Sequence, residues 1–156
     1  MKTLIVYATK HGCTRKYAET LASLLPGAVL SDLKKDPSPG LDDCEAVIVG
    51  GSIHAGMIQK SVRAFCEKNR VVLRQKKLGL FISCMEEGEK ARQQLEKAFP
   101  PDLTAVAAAV AFFGGAFDFD KMNFLERTIV KKVAKVSASV SKFDEAAVRE
   151  FAKRLG

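Results

Sequence analysis

The 156-residue chain has no tryptophan and only two tyrosines and two histidines. Its four cysteines, Cys13, Cys44, Cys66 and Cys84, form no C-x-x-C pair and lie near no histidine at metal-ligand spacing. That excludes a zinc ribbon and a dithiol redox motif, and no metal ligand set is expected. Free thiols in a reducing cytosol are the simple expectation. No apolar stretch approaches the roughly 18 residues that span a bilayer. The apolar run in "MKTLIVYATKHG" is followed by no signal-peptide cleavage site, so a cytoplasmic location is expected. Acidic residues are in deficit, 18 against 25 basic, and the net charge of +7 points to an anionic partner without naming it. Neither G-x-G-x-x-G nor G-x-x-x-x-G-K-S/T occurs, so a dinucleotide fingerprint and a nucleoside-triphosphate loop are both missing.

What is present is a globular composition, 47% hydrophobic and 28% charged. The length suits a single domain over 1–156 that buries about two-thirds of its unfolded surface. Apolar runs at 3–8, 28–33, 45–51, 77–84 and 104–115 read as strands, mostly buried on both faces. Between them, Tyr17, Ala18, Leu21, Ala22 and Leu25 recur at helical spacing until Pro26-Gly27. Ile58, Val62, Phe65, Cys66 and Asn69 mark a second helix, and 86–98 a third before Pro100-Pro101. Residues 144–155 form a last one, with Val148, Phe151, Ala152 and Leu155 on one face. Five strands alternating with helices predict an α/β, doubly wound parallel sheet with right-handed crossovers. Residues 116–143 do not fit that alternation and are too long for an ordinary connection.

Ligands of doubly wound sheets bind beyond the carboxyl ends of the strands. Those ends read "ATKHGCT", "SDL", "GGSIHAGM", "SCMEEGE" and "FGGAFDF". In the first, Thr9, Lys10, His11, Gly12, Cys13 and Thr14 lie between a strand and a helix. They suit a phosphate cradle, with backbone N–H groups at a helix N-terminus, two hydroxyls and a lysine. An ordinary capped turn accounts for the same composition equally well. Cys13 at a helix start is a candidate for a lowered thiol pKa. Glu86, Glu87 and Glu89 read as a solvated first helical turn, with a catalytic acid pair as the alternative. His54 reads either as an exposed loop histidine or as part of a site.

T-K-H-G-C-T resembles the flavodoxin phosphate loop, Ser/Thr-x-x-G-x-T. "VIVGGSIHAGM" resembles the second flavin loop of that family, and "FISCMEEGE" stands where the third belongs. Among flavodoxin-like proteins the pattern is most similar to the menaquinone-dependent protoporphyrinogen oxidases, whose G-(A/G)-S-I-x-x-G loop matches Gly50 to Gly56. They also carry an aromatic, basic insertion after the last strand, as "FDFDKMNFLERTIVKKVAK" is here. The resemblance implies a flavodoxin-like, five-stranded parallel sheet of order 2-1-3-4-5 with an inserted helical segment after strand five, and one FMN.

By position, the resemblance puts the FMN phosphate on Thr9 to Thr14. It puts Ser52, Ile53, His54, Ala55 and Gly56 along the isoalloxazine, and Ser83, Cys84, Met85 and Gly88 at the pyrimidine edge. Gly114, Gly115 and Ala116 close the far side. No protein side chain is expected to form a covalent intermediate. The chain departs from electron-carrying flavodoxins in being basic and in lacking a stacking Trp or Tyr. His54 takes that approximate position, while Tyr7 and Tyr17 lie elsewhere. Where the oxidase family carries Arg-Tyr after Ser-Ile, this chain has His54-Ala55. Electron-carrying flavodoxins flip a glycine peptide in the second loop toward the reduced ring. The Cβ of Ala55 is expected to disfavour the positive φ such a loop uses.

The function implied is an FMN-dependent oxidoreductase that takes electrons from a porphyrinogen or another anionic small-molecule donor and passes them to a quinone. The alternative is an electron shuttle to a protein acceptor. No nucleic acid is expected as a partner. On a helix, Met122, Leu125, Ile129, Val133 and Val136 form an apolar stripe opposite Arg127, Lys131 and Lys135. Residues 121–142 hold six basic residues and one acid, +5 of the chain's +7. That stretch is expected either to pack on the sheet edge or to meet an anionic membrane surface at the inner face of the membrane.

Overall fold

Strand β3 (Ala46–Ser52) is buried at every position, as expected of a run with no polar residue before Ser52. In the computed structural model, which describes residues 2–114, 116–117, 140–141 and 145–156, β3 pairs in parallel with β1 (Thr3–Tyr7) on one side and β4 (Lys77–Cys84) on the other. Outside these lie β2 (Val29–Asp32), paired with β1, and β5 (Ala109–Gly114), paired with β4, both parallel. The order is β2-β1-β3-β4-β5, as expected.

The helices are α1 (Cys13–Leu24), α2 (Lys60–Lys68), α3 (Arg70–Gln75), α4 (Gly88–Ala98), α5 (Pro101–Val106) and α6 (Glu145–Leu155). Strand alternation sorts the core into two clusters. Val47, Val49, Leu78, Leu80 and Ile82 pack with Val62, Phe65, Leu95 and Leu103 from α2, α4 and α5. Ile48 and Phe81 point the other way and pack with Tyr17, Leu21, Phe113, Val148 and Phe151 under α1 and α6. On this second face the Phe113 ring lies 4.8 Å from Tyr17, 5.2 Å from Phe81 and 5.7 Å from Phe151. Two strand glycines make room for the aromatics. A Cβ on Gly50 would overlap the Phe81 ring, and one on Gly79 would stand 2.6 Å from Leu155 and 2.9 Å from Phe151. Side chains there would separate the sheet from α6.

Two boundaries differ from the sequence reading. Residues 104–106, expected in strand five, end helix α5, and the strand starts at Ala109. Pro101 at the first helical position, Asp102 in the first turn and buried Leu103 favour the helix. An alanine-rich run has no period with which to tell the two apart. The helix expected after strand three ends at Asn69 as α2, and a short helix that the sequence reading did not foresee, α3, follows at Arg70. Asn69 adopts φ −107, ψ 17, with its Nδ2 donating to Phe65 O at 2.9 Å.

The long segment after β5 leaves and returns through a separate two-stranded antiparallel ribbon, β6 (Ala116–Phe117) and β7 (Val140–Ser141). The expected inserted helix, the basic stripe within 121–142 and Gly115 lie outside the described residues. Among the described residues no helix is long and apolar enough to cross a membrane.

Candidate functional site

The carboxyl ends of β1, β3, β4 and β5 emerge along one edge of the sheet, and the loops that follow β1, β3 and β4 meet there. The first is residues 8–12. Ala8 N donates to Gly50 O at 3.1 Å, which sets the loop beside β3. Thr9 Oγ1 accepts the Gly12 N–H at 3.0 Å, and Gly12 at φ 91, ψ −7 is the N-cap of α1. That conformation favours glycine. Gly12, the N-cap, has no side chain to cap α1, and the first turn holds no acid. Arg15 and Lys16 follow Lys10 in sequence, with Arg15 paired to Glu19 at 3.3 Å. The start of α1 therefore combines N-terminal N–H groups, the positive end of the helix dipole and basic neighbours.

Within α1 two side chains join the loops to one another. Thr14 and Ser83, both buried, share a 2.9 Å hydroxyl–hydroxyl bond between the first helical turn and the end of β4. The Tyr17 hydroxyl donates to Gly114 O at 2.6 Å, and the Cys13 thiol lies 3.7 Å from the same carbonyl. The far-side residue Gly114 is thus anchored to α1.

The second loop is a two-residue hairpin. His54 N donates to Met57 O at 2.8 Å, and Met57 N to His54 O at 3.1 Å. Ala55 and Gly56 between them have φ 53 and φ 78, the pair of left-handed conformations of a type I′ turn. The expectation that Ala55 avoids positive φ is corrected here. The closing pair of hydrogen bonds holds it there, against roughly 1–2 kcal/mol of Cβ strain. Ile53 N donates to Ser83 O at 3.0 Å, linking this loop to the third. The His54 ring stands edge-on to His11, centroids 5.8 Å apart, which brings the first and second loops together.

In the third loop, the Cys84 thiol approaches Glu86 O at 3.6 Å, and burial raises its pKa to about 11. Burial raises Cys66 to about 12 and also raises Cys44. These three are protonated, inert thiols. Met85 is half-buried, and Gly88 at φ 60 opens α4 without a capping side chain. Glu86, Glu87 and Glu89 are exposed. An open cleft of about 320 Å³ lies against the second loop, between Arg63 of α2 and Gln94 and Lys97 of α4. Of the sequence-predicted residues it is lined by Gly56 alone.

One residue that sequence reading missed joins two of the loops. Gln59 accepts the Ser52 N–H on Oε1 at 3.0 Å, and its Nε2 donates to Ser52 Oγ at 2.6 Å and Ala8 O at 3.4 Å. Ser52 Oγ in turn lies 2.9 Å from His54 Nε2. The sequence offers no signal for this, since a glutamine just before a helix looks like any polar N-terminus. Tyr17 was legible only as a core position, because its spacing says nothing of its hydroxyl.

A parallel sheet of this order, with three loops and Gly114 brought together at its carboxyl edge and a basic helix start among them, defines a doubly wound protein, a class whose ligands bind beyond the strand ends. The flavodoxin domain family matches residues 4–143, and the chain belongs to that family. The protoporphyrinogen IX dehydrogenase [quinone] of Escherichia coli K12 is 25% identical over 152 residues, covering 88% of this chain and 81% of that protein. The flavodoxin of Streptococcus pneumoniae TIGR4 superposes with a TM-score of 0.59 at 16% identity, covering 99% of this chain and 97% of its own. Oxidised flavodoxin 1 of Bacillus cereus gives 0.54 at 16% identity, covering 88% and 100%. At those identities the two structures speak for the fold.

Proposed function

We propose that the chain is an FMN-dependent oxidoreductase that moves electrons from a porphyrinogen, or another planar anionic donor, to a quinone. The observation that carries this reading is the start of α1. Gly12 at φ 91 is a side-chain-less N-cap to a helix with no acid in its first turn, in a chain of the flavodoxin family 25% identical to a quinone-linked dehydrogenase. A basic helix start with glycine as its N-cap fits a phosphate monoester, so the residues present fit FMN. Bound FMN supplies the redox chemistry, and the protein supplies binding, orientation and electrostatics.

The loop 9–14 backbone holds the phosphate. Thr14 and Ser83 stay paired beneath it, keeping the first and third loops in register. Ser52 to Gly56 edge the ring, with His54 on the side of His11, and Ser83, Cys84, Met85 and Gly88 offer backbone groups to the pyrimidine. Gly114, Gly115 and Ala116 close the far side, with Gly114 steadied by Tyr17. The basic stretch 121–142 meets the donor's carboxylates or an anionic membrane surface, where a lipid quinone resides.

Anaerobic mixing of FMN-loaded protein with protoporphyrinogen and a naphthoquinone tests this. Porphyrin fluorescence should rise with stoichiometric loss of quinone. Protein that binds FMN but leaves the porphyrinogen unchanged would overturn the substrate assignment. An electron shuttle to a protein acceptor is the second reading. Ala55 at φ 53 favours it, because the turn already has the left-handed backbone that electron-carrying flavodoxins use there.

A further inference from the structure

We propose that the cleft between α2 and α4 is a binding site for a small organic carboxylate that has an apolar body and an N–H or O–H donor. Arg63 and Lys97 take the carboxylate, Gln94 accepts from the donor, and Met57, Ile58 and Ala98 meet the apolar body. The proposal rests on the side chains that line this cleft and not on the flavin reading above.

Arg63 is the only described arginine without a carboxylate partner. Each of the others has a carboxylate oxygen at 3.9 Å or closer. Glu67, one turn along α2 from Arg63, is turned to Arg70 at 3.4 Å. Glu96, next to Lys97 in the chain, is turned to Arg92 at 3.2 Å. Among the described residues no acid lines the cleft. An exposed arginine without a partner is by itself ordinary, since surface ion pairs contribute little. What sets this one apart is the company it keeps. Gln94 Oε1 is the only buried side-chain oxygen or nitrogen among the described residues with no hydrogen-bond partner, and Gln94 lines the same cleft. Buried polar atoms are otherwise almost always satisfied. No hydrogen bond ties the Gln94 amide to the described residues, so turning Oε1 toward a ligand breaks no bond of the protein.

The remaining lining is apolar. Ile58 and Ala98, 5% and 4% exposed, form the floor, and Met57 stands 57% exposed at the end of the type I′ turn. The cleft's volume of about 320 Å³ lies at the lower end for small-molecule sites. Two cations from different helices favour an anion. A bare phosphate is better matched by clustered backbone N–H groups, as at the start of α1, whereas side-chain cations over an apolar floor suit a carboxylate on an organic body.

Indole-3-propionate has all three features and serves as the probe. Protein with methyl-labelled methionine is titrated with it by NMR at low salt, the Met57 resonance being identified by its loss in Met57→Leu. That resonance should shift saturably. The methyl ester of the probe has no charge and should bind about tenfold more weakly or worse. Benzofuran-3-propionate, with oxygen in place of the N–H, should bind about fivefold more weakly. Arg63→Gln should cost about tenfold and Lys97→Gln about threefold. Gln94→Leu should abolish the preference for indole over benzofuran without lowering Tm, because it removes a buried acceptor that had no partner. A glutamine that merely supports α4 would lose Tm and keep the preference.

No saturable Met57 shift, or equal binding of the methyl ester, overturns the proposal. Inorganic phosphate that displaces the probe at equal concentration overturns the organic carboxylate in favour of a bare anion. Equal binding of the two ring compounds to the wild type overturns the role of Gln94. Arg63→Gln should leave FMN affinity unchanged, and an equal loss of FMN would put Arg63 in the flavin site instead. If a variant fails to fold, the comparison of probes on the wild-type protein decides. Failure of FMN to bind at all overturns the proposed function and leaves the probe titration standing.

Discussion

Loop 8–12 is tied to β3 and Gln59 through Ala8, but its turn into α1 is made by its own residues. Thr9 Oγ1 takes the Gly12 N–H, and Gly12 at φ 91 turns the chain into α1. The 54–57 turn closes with its own pair of hydrogen bonds, but its orientation comes from elsewhere. Gln59 reaches Ser52 and Ala8, and Ile53 leans on Ser83. The first loop's residues have a permissive glycine where φ is positive, while the second places an alanine at φ 53. A loop whose shape is local can be read from a motif. A loop braced by distant side chains cannot, and it is also the one that small changes in those braces can tune.

The largest effect is expected from breaking the local device. Gly12→Val puts a β-branched residue at φ 91 and should cost about 1–3 kcal/mol of stability. Misaligned N–H groups should cut FMN affinity tenfold or more in a fluorescence titration. Unchanged affinity would show that the phosphate lies elsewhere. Thr14→Ala comes next. It leaves buried Ser83 unpartnered, for about 1–3 kcal/mol, and should weaken FMN about tenfold through the lost register of the first and third loops. Riboflavin, lacking the phosphate, should lose less, and equal losses would place the effect at the ring end.

The third expectation concerns pH. Cys84 and Cys66 have folded pKa values of about 11 and about 12 against an ordinary 9.0. Between those values the unfolded chain has released protons that the folded one retains, so the slope of stability with pH is negative. Their contribution is complete below about pH 9, falls as pH rises, and is lost once pH passes the folded values. Denaturation midpoints taken from pH 8 upward should decline, and Cys66→Val should flatten the decline. An equally steep decline in that variant would shift the cause away from Cys66. The smallest effect belongs to the turn. Ala55→Gly relieves the Cβ strain and should raise stability by about 0.5–1 kcal/mol, the strain relieved being partly offset by the entropy of the added glycine. A lower Tm would mean that Ala55 makes contacts worth more than its strain.

Much of this protein was legible in one dimension. Continuous apolar runs such as "AVIVGG" and "LGLFIS" required strands buried on both faces, and helical spacing between them required parallel pairing, since each crossover returns the chain to the same end. The glycine and hydroxyl residues at 9–14 marked the first loop because a left-handed glycine and a helix start are local events. The boundary at 104–106 was not legible, because alanine runs have no period and Pro101, Asp102 and Leu103 select the helix together. Nor was the φ of Ala55, which depends on a hairpin closed by His54 and Met57. Gln59, Tyr17 and the Thr14–Ser83 pair acquired their roles only when the strands aligned. A side-chain hydrogen bond needs its partner within about 3 Å, and residues as far apart in sequence as 14 and 83, or 17 and 114, meet only because the parallel sheet carries its strand ends to one edge.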